Sequence, residues 1–269
     1  MYKSQYDNDV TLWSPAGRLH QLEYACSAVT QGSVVLGLKS STHAVLVGLR
    51  RSPNDLAHHQ EKLFKIDSHC AIGVSGLISD GRRLCKYMRS ETLNHRYVYN
   101  SSMPLSRLVL DVADKCQGQT QTSQGRPFGV GLLIIGYDAK GAHLYETDPA
   151  GNYFEYFAHS IGARNQAAKT YLERKYETFN NISSDELIQH GVNALKETVR
   201  TRDLKLTTDN TSVMIVGNDM DIKQLNDDEL QPFLDKVEND GGDDDNDKGD
   251  DPTDDSVKPK SAMDVDTGK

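Results

Sequence analysis

Several patterns in this chain stop short of the chemistry they suggest. Gly73-Val74-Ser75-Gly76 sets a serine among glycines, but a nucleophile elbow requires G-x-S-x-G. Gly129-Val130-Gly131 lacks the third glycine of a dinucleotide loop and leads into a β-type run, not a helix. No G-x-x-x-x-G-K-[ST] phosphate loop occurs. His58-His59 could in principle ligate a metal, but adjacent residues on a helix or a strand point in different directions. Cys26, Cys70, Cys85 and Cys116 are widely spaced and contain no C-x-x-C pair. Neither a zinc knuckle nor a disulfide framework is expected, and a reducing compartment is the simpler reading. The lone Trp13 reads as a packing anchor, not a stacking platform. No cofactor and no metal is expected on these grounds.

Charge narrows the partners. The chain has 269 residues and a formal net charge of -9, with 37% apolar and 26% charged residues. Residues 239–269 hold 11 Asp and 4 Lys, a net of -7, which leaves about -2 for the other 238. A near-neutral body lacks the basic stripe that nucleic-acid backbones require. The tail has four aliphatic or Met residues (Val257, Ala262, Met263 and Val265) and no aromatic. It cannot offset its ordering entropy and is expected to be disordered. No apolar run approaches the length of a membrane span, and the first 13 residues contain no signal-type apolar stretch.

The elements follow from periodicity. Leu19, Leu22, Cys26 and Val29 are spaced three, four and three apart and predict a helix over Arg18–Thr30. Trp13-Ser14-Pro15-Ala16-Gly17 predicts a turn before it, and Gly32 predicts its end. Short β-rich runs follow at 33–39, 43–49, 62–66 and 69–75, apolar on both faces and so expected to be covered on both sides. Two helices are predicted over Leu77–Tyr99, with Leu84, Cys85, Met88 and Leu93 inward, and over Leu105–Lys115. A polar connector spans 118–127, then strands at 130–137, 143–147 and 153–157. Helices at 163–176 and 184–201, strands at 212–217 and 221–225 and a short helix over 229–237 complete the body. Ser183 or Ser184 is the expected cap of the 184–201 helix. Strands in blocks alternating with helices in blocks predict an α+β fold of two face-to-face sheets with a helix pair outside each.

The start of the chain points to a family. Tyr6-Asp7, Trp13-Ser14-Pro15-Ala16-Gly17-Arg18-Leu19, Gln21, Glu23-Tyr24-Ala25, Ala28-Val29 and Gly32-Ser33 closely resemble the signature of proteasome α-type subunits. The likeness continues through Ser75-Gly76-Leu77-Ile78-Ser79-Asp80, Pro127-Phe128-Gly129-Val130, Asp148-Pro149-Ala150-Gly151 and Ile161-Gly162-Ala163. It covers nearly everything from residue 4 to about 235. The resemblance implies the four-layer αββα sandwich of N-terminal-nucleophile hydrolases with an N-terminal extension helix. It also implies a gate segment over 1–13, the domain over 14–238 and a separate acidic tail over 239–269.

What the resemblance implies about activity is negative. Active β-type relatives use a freed N-terminal Thr whose own α-amine serves as base, together with an Asp and a Lys. A free amine can accept a proton and an amide nitrogen cannot. Here Ser33, preceded by Gly32, stands at the nucleophile position, Leu49 at that of the Asp and Lys62 at that of the Lys. A non-catalytic subunit is expected, one that scaffolds a seven-membered outer ring with six other α subunits against β-ring subunits. The resemblance assigns Tyr6, Asp7, Pro15 and Tyr24 to a cluster that holds the pore gate open. It assigns Gly32, Lys62 and Leu77 to a pocket for the C-terminal carboxylate of regulatory ATPases or other activators. Service in ubiquitin-dependent and ubiquitin-independent protein degradation, in cytoplasm and nucleus, is the corresponding expectation.

Overall fold

The computed structural model describes residues 6–52, 54, 56–123, 125–199, 205–218 and 220–239, with residues 238 and 239 by backbone alone. The expected acidic tail lies outside the described residues beyond Asn239, as do residues 1–5 of the N-terminal segment.

Helix α1 (His20–Gln31) is followed by β1 (Val35–Lys39), β2 (His43–Leu49), β3 (Leu63–Asp67) and β4 (Cys70–Gly76). Helices α2 (Ile78–Tyr99) and α3 (Leu105–Thr120) come next, then β5 (Val130–Asp138), β6 (Gly141–Thr147), β7 (Tyr153–Glu155) and β8 (Ala158–Ile161). The chain continues through α4 (Asn165–Lys175), a 3-10 turn (Tyr176–Asn181), α5 (Ser184–Val199), β9 (Thr211–Gly217), β10 (Met220–Gln224) and α6 (Asp227–Asn239). One sheet has the order β10-β9-β2-β1-β8 and the other β3-β4-β5-β6-β7. The pairings are antiparallel.

The two-residue strand period distributes the apolar runs between three cores. In β1 and β2, Leu36, Leu38, Val45, Val47 and Leu49 face α4, α5 and α6, where Leu187, Val192 and Leu195 meet them. Val35, Ala44 and Leu46 face the other way and join Ala71, Leu133, Ile135 and Leu144 between the sheets. Ile72, Val74, Leu132 and Ile134 face out of the second sheet onto Leu84, Met88, Leu108 and Val112 of α2 and α3. Each fully buried Val, Leu, Ile or Met among these contributes about 1.5–3 kcal/mol relative to exposure, and the alanines less. Three stacked apolar layers between four layers of structure make the αββα sandwich, as expected.

Four expectations are corrected. Leu93 does not face inward: it is 69% exposed, and buried Thr92 continues the stripe of Leu84 and Met88. Residue 92 lies four beyond Met88, whereas 93 is turned a further 100° around the helix. The connector expected from 118 begins later, because α3 runs on to Thr120 despite its polar last turn. The run expected as one strand over 153–157 is divided between the sheets, β7 pairing with β6 and the following β8 with β1. At the crossing, Tyr156 N–H donates to Leu144 O of one sheet, and Phe157 O accepts from Lys39 N–H of the other. Finally, α6 starts at Asp227 and carries Pro232 within it.

Candidate functional site

The end of the sandwich where β1 begins gathers the residues of interest. Helix α1 lies across it and ends at Gly32, whose N–H returns to Val29 O. The Gly32–Ser33 peptide is held from both sides. Gly32 O accepts from Ala163 N–H at 2.7 Å, and Ser33 O accepts from the Ser75 hydroxyl at 3.2 Å. The Ser75 hydroxyl also reaches Val29 O at 3.0 Å, tying α1 to β4. A Cβ on Gly32 would overlap the Gly76 nitrogen and the Ser75 hydroxyl, so the close approach of these segments requires glycine there.

Ser33 is buried, and its hydroxyl donates to Leu49 O at 2.8 Å. The Leu49 side chain, by contrast, is buried in the helix-side core. A backbone carbonyl is too weak a base to activate a hydroxyl, and Ser33's own nitrogen is an amide. The arrangement therefore stores a satisfied serine where an N-terminal nucleophile would need a base.

Lys62 points to the same Ser33 carbonyl. It is only 4% exposed, and its ammonium donates to Ser33 O at a long 3.4 Å. Burial, and then the nearby Arg51 cation, push the ammonium down from 10.5 to about 8. An ammonium has three donors, and among the described residues Ser33 O is its one hydrogen-bond acceptor. A buried cation so placed gains from an incoming anion. Leu77, 45% exposed, precedes the first turn of α2 and donates its N–H to Gly129 O. Thus Gly32, Ser33, Leu49 and Lys62 converge, and Leu77 joins them through its neighbour Gly76, which packs on Gly32.

The N-terminal cluster is only partly assembled within one chain. The Tyr24 phenol donates to Asp7 Oδ2 at 3.4 Å, and burial together with that carboxylate pushes the phenol pKa upward. Gln21 Nε2 holds Asp7 O. Pro15 sits in a turn closed by Gly17 N–H to Ser14 O and by Arg18 N–H to the Ser14 hydroxyl. Gly17 adopts φ +73, a left-handed conformation suited to glycine. Tyr6 is half-buried and Pro15 exposed. Trp13, expected as an anchor, is 62% exposed on a groove with Leu19 and the end of α3. Val10, at 3%, anchors this segment instead.

Three contributors escaped sequence reasoning: Ser75, the Gly162-Ala163 turn and the buried Asp80 with Arg126. Ser75, Gly162-Ala163 and Asp80 stood in the resembling segments, which assigned them no role, and Arg126 stood in the polar connector. His58 and His59 lie in the irregular segment before β3. Among the described residues, no group of three or more His, Cys, Asp and Glu could hold a metal. No helix among them is long and apolar enough to cross a membrane.

Comparisons with known proteins agree with this geometry. Residues 29–216 match the family described as "Proteasome subunit", and residues 6–28 match the N-terminal signature of its A-type members. The chain is 49% identical over 239 residues to "Proteasome subunit alpha type-1" of Dictyostelium discoideum, covering 89% of this chain and 96% of that protein. It is 45% identical over 237 residues to "Proteasome subunit alpha type-1" of Caenorhabditis elegans, covering 88% and 91% respectively. It is 48% identical over 221 residues to "Proteasome subunit alpha type-6" of Saccharomyces cerevisiae, covering 81% and 94%. The sandwich with its overlying N-terminal helix, the two family matches and the extent of these identities together place the chain in the proteasome subunit family, in its alpha-type branch.

Proposed function

We propose that this chain is a non-catalytic member of a proteasome α ring in the core particle. It forms part of the ring wall with six other α subunits, adds its N-terminal segment to the pore gate and offers the Lys62 cleft to regulators. The degradation it serves is both ubiquitin-dependent and ubiquitin-independent. One observation carries the non-catalytic reading: the Ser33 hydroxyl is spent on Leu49 O while its nitrogen stays in the Gly32–Ser33 peptide. Cutting that peptide would detach α1, whose Leu19, Leu22, Cys26 and Val29 stripe is half-buried against the sheets.

The docking reading is supported by the buried Lys62 ammonium and its long contact to Ser33 O, its one acceptor among the described residues. A carboxylate from the C-terminus of an ATPase or activator chain would supply a charge-assisted partner, contributing about 1.5–3 kcal/mol. The gate reading is supported by the Asp7–Tyr24 pair and by the turn at Pro15, which present the segment ahead of α1.

Two measurements test this. Mass spectrometry of the chain from the assembled particle, after treatment with an electrophile selective for N-terminal hydroxyl nucleophiles, is expected to show Gly32–Ser33 intact and Ser33 unlabelled. A cut there, or a labelled Ser33, would overturn the non-catalytic reading. Lys62→Ala particles should sediment normally yet bind an activator about tenfold more weakly, as one lost charge-assisted bond predicts. Equal affinity would remove the docking assignment.

A further inference from the structure

Asp80 stands in the first turn of α2, a favourable place for a carboxylate, but it is turned inward and is 2% exposed. Burying a charge is costly unless it is paired and its lone pairs are filled. Both conditions are met. The Arg126 guanidinium grips the carboxylate with two nitrogens, at 2.5 and 2.9 Å, and the Gly129 N–H adds a third bond at 3.1 Å. Arg126 Nη1 also donates to Pro127 O at 3.0 Å, so the guanidinium fastens its own loop to the helix. Burial alone would push the Asp80 carboxyl up, but the hydrogen bonds from Arg126 and Gly129 hold it below the usual carboxylate range.

Gly129 is the link onward. Its carbonyl accepts from Leu77 N–H at 2.8 Å. Gly76 adopts φ +107, and a Cβ there would overlap Gly129 O, so the backbone of 76 rests directly on that carbonyl. Gly76 in turn packs on Gly32, and neighbouring Ser75 holds Ser33 O, the same carbonyl that takes the Lys62 ammonium. The pair thus reaches Leu77 through the Gly129 peptide, and the Lys62 ammonium through Gly129, Gly76, Ser75 and the Ser33 carbonyl.

We infer that Asp80 and Arg126 are positioning residues of the Lys62 cleft. By seating Gly129 beneath Gly76 and Leu77, they hold those two residues at the height where an incoming terminal carboxylate meets the ammonium, and so set the preference for a free C-terminus. This rests on the reading of the cleft as a carboxylate dock. Neither residue is expected to touch the docked tail.

The test compares particles carrying wild-type chain, Arg126→Ala, Arg126→Lys, Asp80→Asn or Lys62→Ala. The probe is a synthetic heptapeptide copying the C-terminus of a regulatory ATPase chain, with a free carboxylate or as its amide. A photoreactive residue near its end reports occupancy through adducts on this chain alone. Wild-type particles should capture the acid in preference to the amide. Arg126→Ala and Asp80→Asn should lower that acid-to-amide ratio at least fivefold, with Arg126→Lys between them and wild type. A pair that merely stabilises the fold would lower the melting temperature and leave the ratio alone. An unchanged ratio in those variants, with preference lost in Lys62→Ala, overturns the positioning role and leaves the dock standing. If Lys62→Ala keeps the wild-type ratio, the dock itself fails and this inference with it. Should Arg126→Ala not assemble, Asp80→Asn and Arg126→Lys decide the question in the same way.

Discussion

At the scale of single residues, Ser33 and Lys62 meet at one carbonyl with very different costs. The lysine bears the larger cost. Its ammonium, held at about 8 instead of 10.5, disfavours folding by about 3 kcal/mol at neutral pH. The unfolded chain binds more protons than the native one between those two values. The penalty is therefore complete below pH 8 and disappears as pH rises towards 10.5. Lys62→Met keeps the apolar stem and removes the charge. Thermal melts should show it more stable than wild type by about 1–3 kcal/mol at pH 7, the gain vanishing near pH 10. The same depression bears on the proposed docking. Affinity for a free-carboxylate peptide should be level below pH 8 and fall about tenfold per unit above it, until the pKa of the occupied cleft is reached. Isothermal titration across pH 6–10 measures that slope. Leu49→Asp would put a carboxylate beside the start of β1, but its side chain would enter the helix-side core. It should destabilise the chain by about 3–5 kcal/mol without producing amide hydrolysis, checked by melting and by peptidase assay.

At the scale of elements, polar caps and apolar stripes carry separate duties. Helix α5 opens with a reciprocal capping box: Glu186 N–H donates to the Ser183 hydroxyl at 3.3 Å, and Ser183 N–H to Glu186 Oε2 at 3.1 Å. Ser183→Ala should cost about 1 kcal/mol in a denaturant titration. Helix α2 offers a sharper contrast. Met88 is fully buried against the second sheet, whereas Leu93 stands 69% exposed. Met88→Ala should cost about 2–5 kcal/mol and Leu93→Ala no more than about 0.5, read from thermal melts in dilute solution. Comparable losses at the two positions would mean that this helix packs by a different face.

For the whole molecule, the sandwich buries its central strands thoroughly, leaves β7 and much of β10 exposed and buries its N-terminal helix only in part. Ala25 is the single buried residue of α1, and Tyr24 is 45% exposed. At the far end of α2, Leu93, Tyr97, Val98 and Tyr99 are 58–89% exposed. Isolated surfaces of this kind favour association. The isolated chain is expected to elute from size exclusion as oligomers, and amide exchange in α1 is expected to slow on assembly. A monodisperse 29.9 kDa species with α1 equally protected in both states would contradict this.

The amino-acid order determined what depends on local periodicity and composition. The strand blocks, the helix stripes and the change of residue type at Leu49 could all be read because period and side-chain chemistry are written residue by residue. The segment at 153–161 could not be parsed that way, since both halves have strand-like composition and only their partners, β6 and β1, distinguish them. Leu93 was misread for a related reason, an apolar type standing one residue off a stripe that Thr92 completes with its hydroxyl on Met88 O. The candidate site was visible as a set of residues but not as a geometry. Burial of the Lys62 ammonium, the spending of the Ser33 hydroxyl on a carbonyl and the Asp80–Arg126 grip across 46 positions all join segments distant in the chain. Desolvation and hydrogen-bond partnership are properties of the packed interior, so only the tertiary structure decided them.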